Sequence, residues 1–146
     1  MIIGTLTNAG ERRIRKYIQD NPDHDLYIGW GLCTTSDTAA STDSGLVKEY
    51  GRAAATATRG TTTYTNDTLT IAVSETITAA NGGGGSKTYT GCHILEVGIF
   101  DAASGGNMLY RGLLSEDSST PAARWLEDGD TLSVSIAFHF IAGDYV

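Results

Sequence analysis

Along much of the chain apolar and polar residues alternate with a period of two, the pattern of strands with one buried face. In Leu26 to Cys33, Leu26, Ile28, Trp30 and Leu32 fall on one side, and Tyr27, Gly29, Gly31 and Cys33 on the other. The Trp30 side therefore faces a core. The longest run closes the chain, where Leu132, Val134, Ile136, Phe138 and Phe140 alternate with Thr131, Ser133, Ser135, Ala137 and His139. A slip of one residue would turn all of those large apolar groups to water, so the register of this strand is firmly set. Between these two, Leu95, Val97 and Ile99, the small residues Ala102 to Asn107, and the apolar stretch Met108 to Leu114 predict a central hairpin over Gly91 to Ser115. Arg52 to Val73 predicts a second hairpin turning at Asn66-Asp67, with Leu69, Ile71 and Val73 on one face. Ala53, Ala55 and Ala57 on its first arm leave room for close packing or for a paired subunit.

Met1 to Leu6 is short and β-branched, a strand or an arm. Asn8 followed by Glu11 has the spacing of an N-cap with its capping-box partner, and Ile14, Tyr17 and Ile18 then recur at helical spacing. Asn21-Pro22 ends this helix, because the residue before a proline is pushed out of the α region. Arg12, Arg13, Arg15 and Lys16 make the helix basic, a docking face for an acidic partner or simply a solvated face. Three stretches lack periodicity and read as loops: Thr34 to Gly45, Asn81 to Ser86 and Ser115 to Asp130, the first and last long enough to carry binding. The expected fold is all-β, an antiparallel sandwich of about six or seven strands with one short N-terminal helix. Residues 1–146 form a single domain, with the arm and helix in 1–20 and the sandwich in 26–146.

Composition narrows the partners. The chain has 146 residues, ten Lys or Arg against seventeen Asp or Glu, and a net charge of -7. Nucleic acid is excluded as a partner on this balance, because phosphate binding needs a basic face. No apolar run approaches the ~20 residues of a membrane-spanning helix, so no membrane partner is expected. The N-terminus lacks the layout of a secretory signal, which predicts folding in the cytoplasm of the producing cell. Cys33 and Cys92 are too few for a disulfide scaffold; they read as packed thiols, the alternative being one bond formed in a particle that leaves the cell.

No catalytic constellation emerges. His24, His93 and His139 lie in separate elements, and Cys92 and His93 are strand neighbours that point to opposite faces, so no metal-ligand spacing arises. A cysteine nucleophile would need His139 brought to it by the fold. Glu127, Asp128 and Asp130 match no calcium loop, and no pair of carboxylates is held as glycoside hydrolysis requires. GGGGSKT looks like a phosphate loop, but the required glycines fall at Asn81 and Ser86 and strand-like residues follow. Glu96 is better placed for a structural bond to Arg111 on the neighbouring strand. The expectation is a non-enzymatic protein without cofactor or metal.

The order of five segments carries a resemblance: LTNAGERRIRKYI, LYIGWGLCTTSDTAAST, KEYGR, ILEVGIFDAASGGNMLYRGLL and DGDTL. It resembles a group of small tailed-bacteriophage virion proteins in which T-N-x-G opens a helix, Y-I-A-x-G-x-G forms a strand, E-V-G-[LI]-F-D-A precedes a turn, and G-D-x-L-x-V closes the chain. The likeness spans nearly all of the sequence, in short motifs of common residues. Trp30, Cys33 and the NGGGGSKTYT insertion depart from the pattern. The resemblance implies a structural protein of the virion: a capsid decoration or cement protein bound to the major capsid protein, or else a tail-fibre or collar component. It implies self-association as a trimer or dimer, and final residence in the virion. From another class, a carbohydrate-binding module for host recognition would use Tyr27, Tyr50 or Trp125 as stacking platforms, and Trp125 would equally serve partner docking.

Overall fold

A computed structural model describes residues 2–7, 10, 25–59, 67–84, 89–117 and 119–140. Among these residues the fold is all-β. The strands are β1 (Ile2–Leu6), β2 (Leu26–Gly31), β3 (Glu49–Arg59), β4 (Asp67–Thr76), β5 (Gly91–Ile94), β6 (Glu96–Phe100), β7 (Met108–Leu114), β8 (Arg124–Glu127) and β9 (Thr131–Phe140). Seven of them form one sheet in the order β1-β7-β6-β2-β3-β4-β9, and β5 and β8 form a separate pair. Every pairing is antiparallel. The predicted helix with Arg12, Arg13, Arg15 and Lys16 lies outside the described residues. After β1 the Thr7 hydroxyl accepts the Gly10 N–H at 2.9 Å and donates to the Met108 carbonyl.

The sheet curls because β3 serves both of its halves. Its first part pairs with β2, from Gly31↔Glu49 to Leu26↔Ala55, and its last part with β4, from Thr56↔Ala72 to Arg59↔Leu69. A strand that changes partners midway turns the corner between two layers. The result is read directly from Tyr110 on β7 and Phe138 on β9. Five strand spacings of about 4.8 Å separate their strands along the sheet, which would be about 24 Å if it were flat. Their ring centroids are instead 5.6 Å apart, edge to face.

The main core fills the inside of this curl. Leu26, Ile28 and Trp30 of β2, Leu69, Ile71 and Val73 of β4, Val97 and Ile99 of β6, and Leu132, Val134 and Ile136 of β9 are all buried in it, as the alternation predicts. Ala53, Ala55 and Ala57 pack against the same cluster, which answers why that arm is built of small residues. Trp30 satisfies its indole N–H on the Asn81 carbonyl at 2.8 Å, so the start of the glycine-rich stretch is fastened to the core. The Asn81 side chain accepts the Thr78 N–H and donates to the Thr76 carbonyl, closing the turn after β4.

Four sequence expectations change. The hairpin at 91–115 is shorter than expected: β6 and β7 form it, whereas β5 leaves at Leu95 to pair with β8. Leu95, Val97 and Ile99 are all buried, but Leu95 belongs to a second small cluster with Cys33 and Leu113, on the other face of the sheet. Leu32 also changes side. The register of β2 with β3 shifts between Trp30 and Gly31, and Leu32 packs with that second cluster. Finally, the stretch from Ser115 to Asp130 holds a strand, β8, whose few residues are too short to show a period.

Candidate functional site

The second face of β6 and β7 is where charged residues converge. Strand β6 is buried on both sides, with Glu96, Gly98 and Phe100 pointing away from the main core. Covering them is the loop that runs from Leu32 back to Lys48. Glu96 is fully buried and Arg111 nearly so. Arg111 donates from Nε and Nη2 to Glu96 Oε2 at 3.1 and 3.0 Å, and from Nη1 to the Thr38 carbonyl at 3.2 Å and Asp43 Oδ2 at 3.1 Å. The other oxygen of Glu96 accepts the Lys48 N–H at 3.0 Å. One guanidinium thus ties two strands and the middle of the loop, while Glu96 holds the loop's return. Burial alone would lower the Arg111 pKa; the hydrogen bonds and charges of Glu96 and Asp43 outweigh it and raise it.

The loop has its own local bonds. Asp37 accepts the Thr34 N–H at 2.8 Å, and Asp43 accepts the Ala40 N–H at 2.9 Å, both side chain to backbone three residues back. The Thr34 N–H bond is the main cause that holds the Asp37 carboxyl below its usual pKa. Gly31 lets the returning strand approach: a Cβ there would lie 2.0 Å from the Lys48 carbonyl oxygen. The segment is a largely exposed loop, as its composition predicts, and it is also fastened across the sheet by Arg111.

Next to it, Arg52 on β3 makes a second tie. It grips Glu49 through Nε and Nη2 at 2.8 Å each, and donates from Nη1 to the carbonyls of Ala102 and Gly105 at 2.8 and 2.9 Å. Its guanidinium lies 3.4 Å over the Phe100 ring. Phe100 lies flat because Gly29 and Gly98 face each other beneath it; added Cβ atoms would stand 2.9 and 3.0 Å from the ring. The turn itself closes on Asp101, which accepts from the Asn107 N–H at 2.7 Å and its amide at 2.9 Å. Gly105 and Gly106 supply the positive φ of 62° and 71° that this turn requires.

Cys33 sits under the loop, close to Arg111, Asp37 and Glu96, and burial is the largest cause pushing its thiol up to about 11. At neutral pH it is protonated, a poor nucleophile and a poor metal ligand. Cys33 and Cys92 are both buried free thiols, in different apolar clusters, with no bond between them. Among the described residues no three His, Cys, Asp or Glu side chains are grouped to hold a metal ion. The acidic stretch before β9 is a turn: Asp130 accepts the Glu127 N–H at 2.8 Å, and Gly129 has a φ of 93°.

A groove of about 640 Å³ opens on the opposite side, between β9 and the elements β1, β7 and β8. Trp125, 47% exposed, stands on its wall, braced by the His93 ring at 4.9 Å. Arg124, Thr131, Ser133 and Ser135 supply polar groups, and Tyr110, Leu114 and Leu126 an apolar floor. Burial pushes the Tyr110 phenol up to about 12. Tyr50 is half-buried on β3, packed against the core and close to Gly83. Tyr27 is half-buried on β2. Sequence reasoning placed Trp125 correctly as an exposed aromatic but not the groove, which exists only because the sheet curls. These features define an antiparallel curled-sheet protein with a clasped outer face and one aromatic-walled groove. Comparison with protein-family models, curated proteins and solved structures finds no match to the chain.

Proposed function

We propose that the protein is a non-enzymatic structural component of a tailed-phage virion, a decoration protein that binds the major capsid protein and stabilises the head. One observation carries this reading. Three of the five segments that bear the phage likeness, LYIGWGLCTTSDTAAST, KEYGR and ILEVGIFDAASGGNMLYRGLL, meet on a single face, where Glu96, Arg111, Asp43 and Arg52 join them. These residues hold a loop and a turn onto a sheet. A clip that must keep its shape on a shell needs that kind of rigidity.

The test is binding of purified protein to capsids that lack it. Saturation at a count fixed by the lattice, with a raised capsid melting temperature, is the expected result. Saturation on tails or collars with none on heads would replace the head assignment with the tail-fibre or collar one. No binding to any particle would remove both. A carbohydrate-binding role is favoured by Trp125 on the groove beside Arg124 and the hydroxyls of Thr131, Ser133 and Ser135. It predicts a glycan-array signal that Trp125→Ala abolishes, and a signal unchanged in that variant would exclude it.

A further inference from the structure

We propose that the free edge of β9 is a pairing surface for a second copy of this chain, which adds its own β9 antiparallel about a two-fold axis. The proposal goes beyond the virion reading and does not depend on it. Strand β9 ends the sheet among the described residues and is ten residues long. It pairs with β4 from Thr76↔Thr131 to Asp67↔Phe140 with no shift in register, so no bulge twists the edge away. Its sequence, TLSVSIAFHF, contains no Lys, Arg, Asp, Glu, Pro or Gly. Natural proteins blunt exposed edges with charges, prolines or bulges, and a long edge without any of them invites another strand.

Charge sets the direction of pairing. Two copies each carry a net charge of -7 and repel, and β9 offers an edge without Lys, Arg, Asp or Glu. Glu127, Asp128 and Asp130 stand just before it. A parallel pair would press the two acidic clusters together. An antiparallel pair separates them by the strand length, about 34 Å, several times the Debye length of about 8 Å at physiological salt. With the axis at Ser135, that residue meets itself, Ser133 meets Ala137 and Thr131 meets His139. All of these side chains are exposed, and the pairs are small or hydroxyl-bearing, so none needs the core to move.

Pairing by edge alone makes a small interface. A strip about 34 Å long and about 10 Å deep is roughly 340 Å² per copy, below the ~800 Å² per partner of a standard interface. The dimer is therefore weak, and the edge is closed symmetrically rather than polymerised. It would also cover the β9 wall of the groove.

Sedimentation equilibrium of the full chain over about 5–500 µM, a range chosen for a weak interface, should show a monomer–dimer equilibrium. Ser135→Lys sets two like charges opposite each other at the axis and should weaken dimerisation by about tenfold. Ser74→Lys, an exposed position on β4 away from the edge, should leave it unchanged. Far-UV circular dichroism checks that both variants fold. Under mild oxidation Ser135→Cys should cross-link to itself, whereas Thr131→Cys should not, since its copies would stand about 27 Å apart. A wild-type chain that stays monomeric at the highest concentration overturns the proposal. So does association that Ser135→Lys leaves intact, or cross-linking of Thr131→Cys in place of Ser135→Cys.

Discussion

Replacing Arg111 with methionine tests whether the buried ion pair holds the outer face together. The Arg111 side chain is 5% exposed and that of Glu96 0%. Arg111→Met keeps an unbranched apolar stem but strips Glu96 Oε2 of its donors, leaving a buried carboxylate with the Lys48 N–H on its other oxygen. Breaking such a pair from one side costs about 3–5 kcal/mol, because the remaining charge is desolvated without compensation. Asp43 adds little, since it is partly exposed and can take water in place of the guanidinium. The double variant Arg111→Met with Glu96→Met removes both charges. It should recover about half of the loss, the remainder being the Lys48 N–H left without its acceptor, about 1–3 kcal/mol.

Urea unfolding reads this directly. With a slope near 2 kcal/mol per molar, a common value for a domain of this size, the single variant's midpoint should fall by about 1.5–2.5 M and the double variant's by about half of that or less. The melting temperature should drop by about 6–20 °C in the single variant, at about 2–4 °C per kcal/mol. The loop at 34–45 should also become cleavable by protease under native conditions, since Thr38 and Asp43 lose the group that fastens them. A single variant within about 1 kcal/mol of wild type, or a double variant no better than the single, would refute the assignment of Glu96 as a buried charge held by Arg111.

Other expectations follow from the same geometry. Cys33 is pushed from an ordinary 9.0 to about 11 and Tyr110 from 10.0 to about 12 in the folded state. The unfolded chain therefore releases these protons first, and stability should fall as pH rises from 9.0 towards 12. Cys33→Ala should flatten the part of that slope between 9.0 and about 11 in pH-dependent urea titrations. Thiol counting should find both cysteines unreactive in the native protein and both free after denaturation; a single disulfide in the isolated protein would contradict the two-cluster packing. Gly31→Ala forces a Cβ against the Lys48 carbonyl, at 2.0 Å without adjustment, and should cost about 1–3 kcal/mol in thermal melts. Arg52→Lys should not rescue the loss caused by Arg52→Ala, because an ammonium cannot grip both oxygens of Glu49 while lying flat on Phe100.

The strands with one wet face were legible, and the reasons they were legible explain what was missed. Period-two reading assumes that alternate residues meet water. That holds for β9, where Leu132, Val134 and Ile136 are buried between exposed neighbours, and the reading there is right residue by residue. It fails for β6, where both faces are covered and one cover is made by Glu96 and Arg111, residues that composition assigns to the surface. Leu95 was put on the wrong face for the same reason. The signals that mark the buried side are indirect: glycines at 29 and 98, and an Arg flanked by Tyr110 and Gly112 on an otherwise apolar strand. Strand β8 was missed because its pairing with β5 is entirely a matter of tertiary contact, and a four-residue strand carries no period. These errors bear on where a partner can bind. The loop Thr34 to Gly45, exposed as it is, spends Thr34, Asp37 and Asp43 on its own backbone and on Arg111. Among the described residues, β9 is one of the two edges of the large sheet, a strand whose pattern reads as core and gives no sign of its free side. An amphipathic edge strand has two faces and a free side, and hydropathy along the chain reports only the faces.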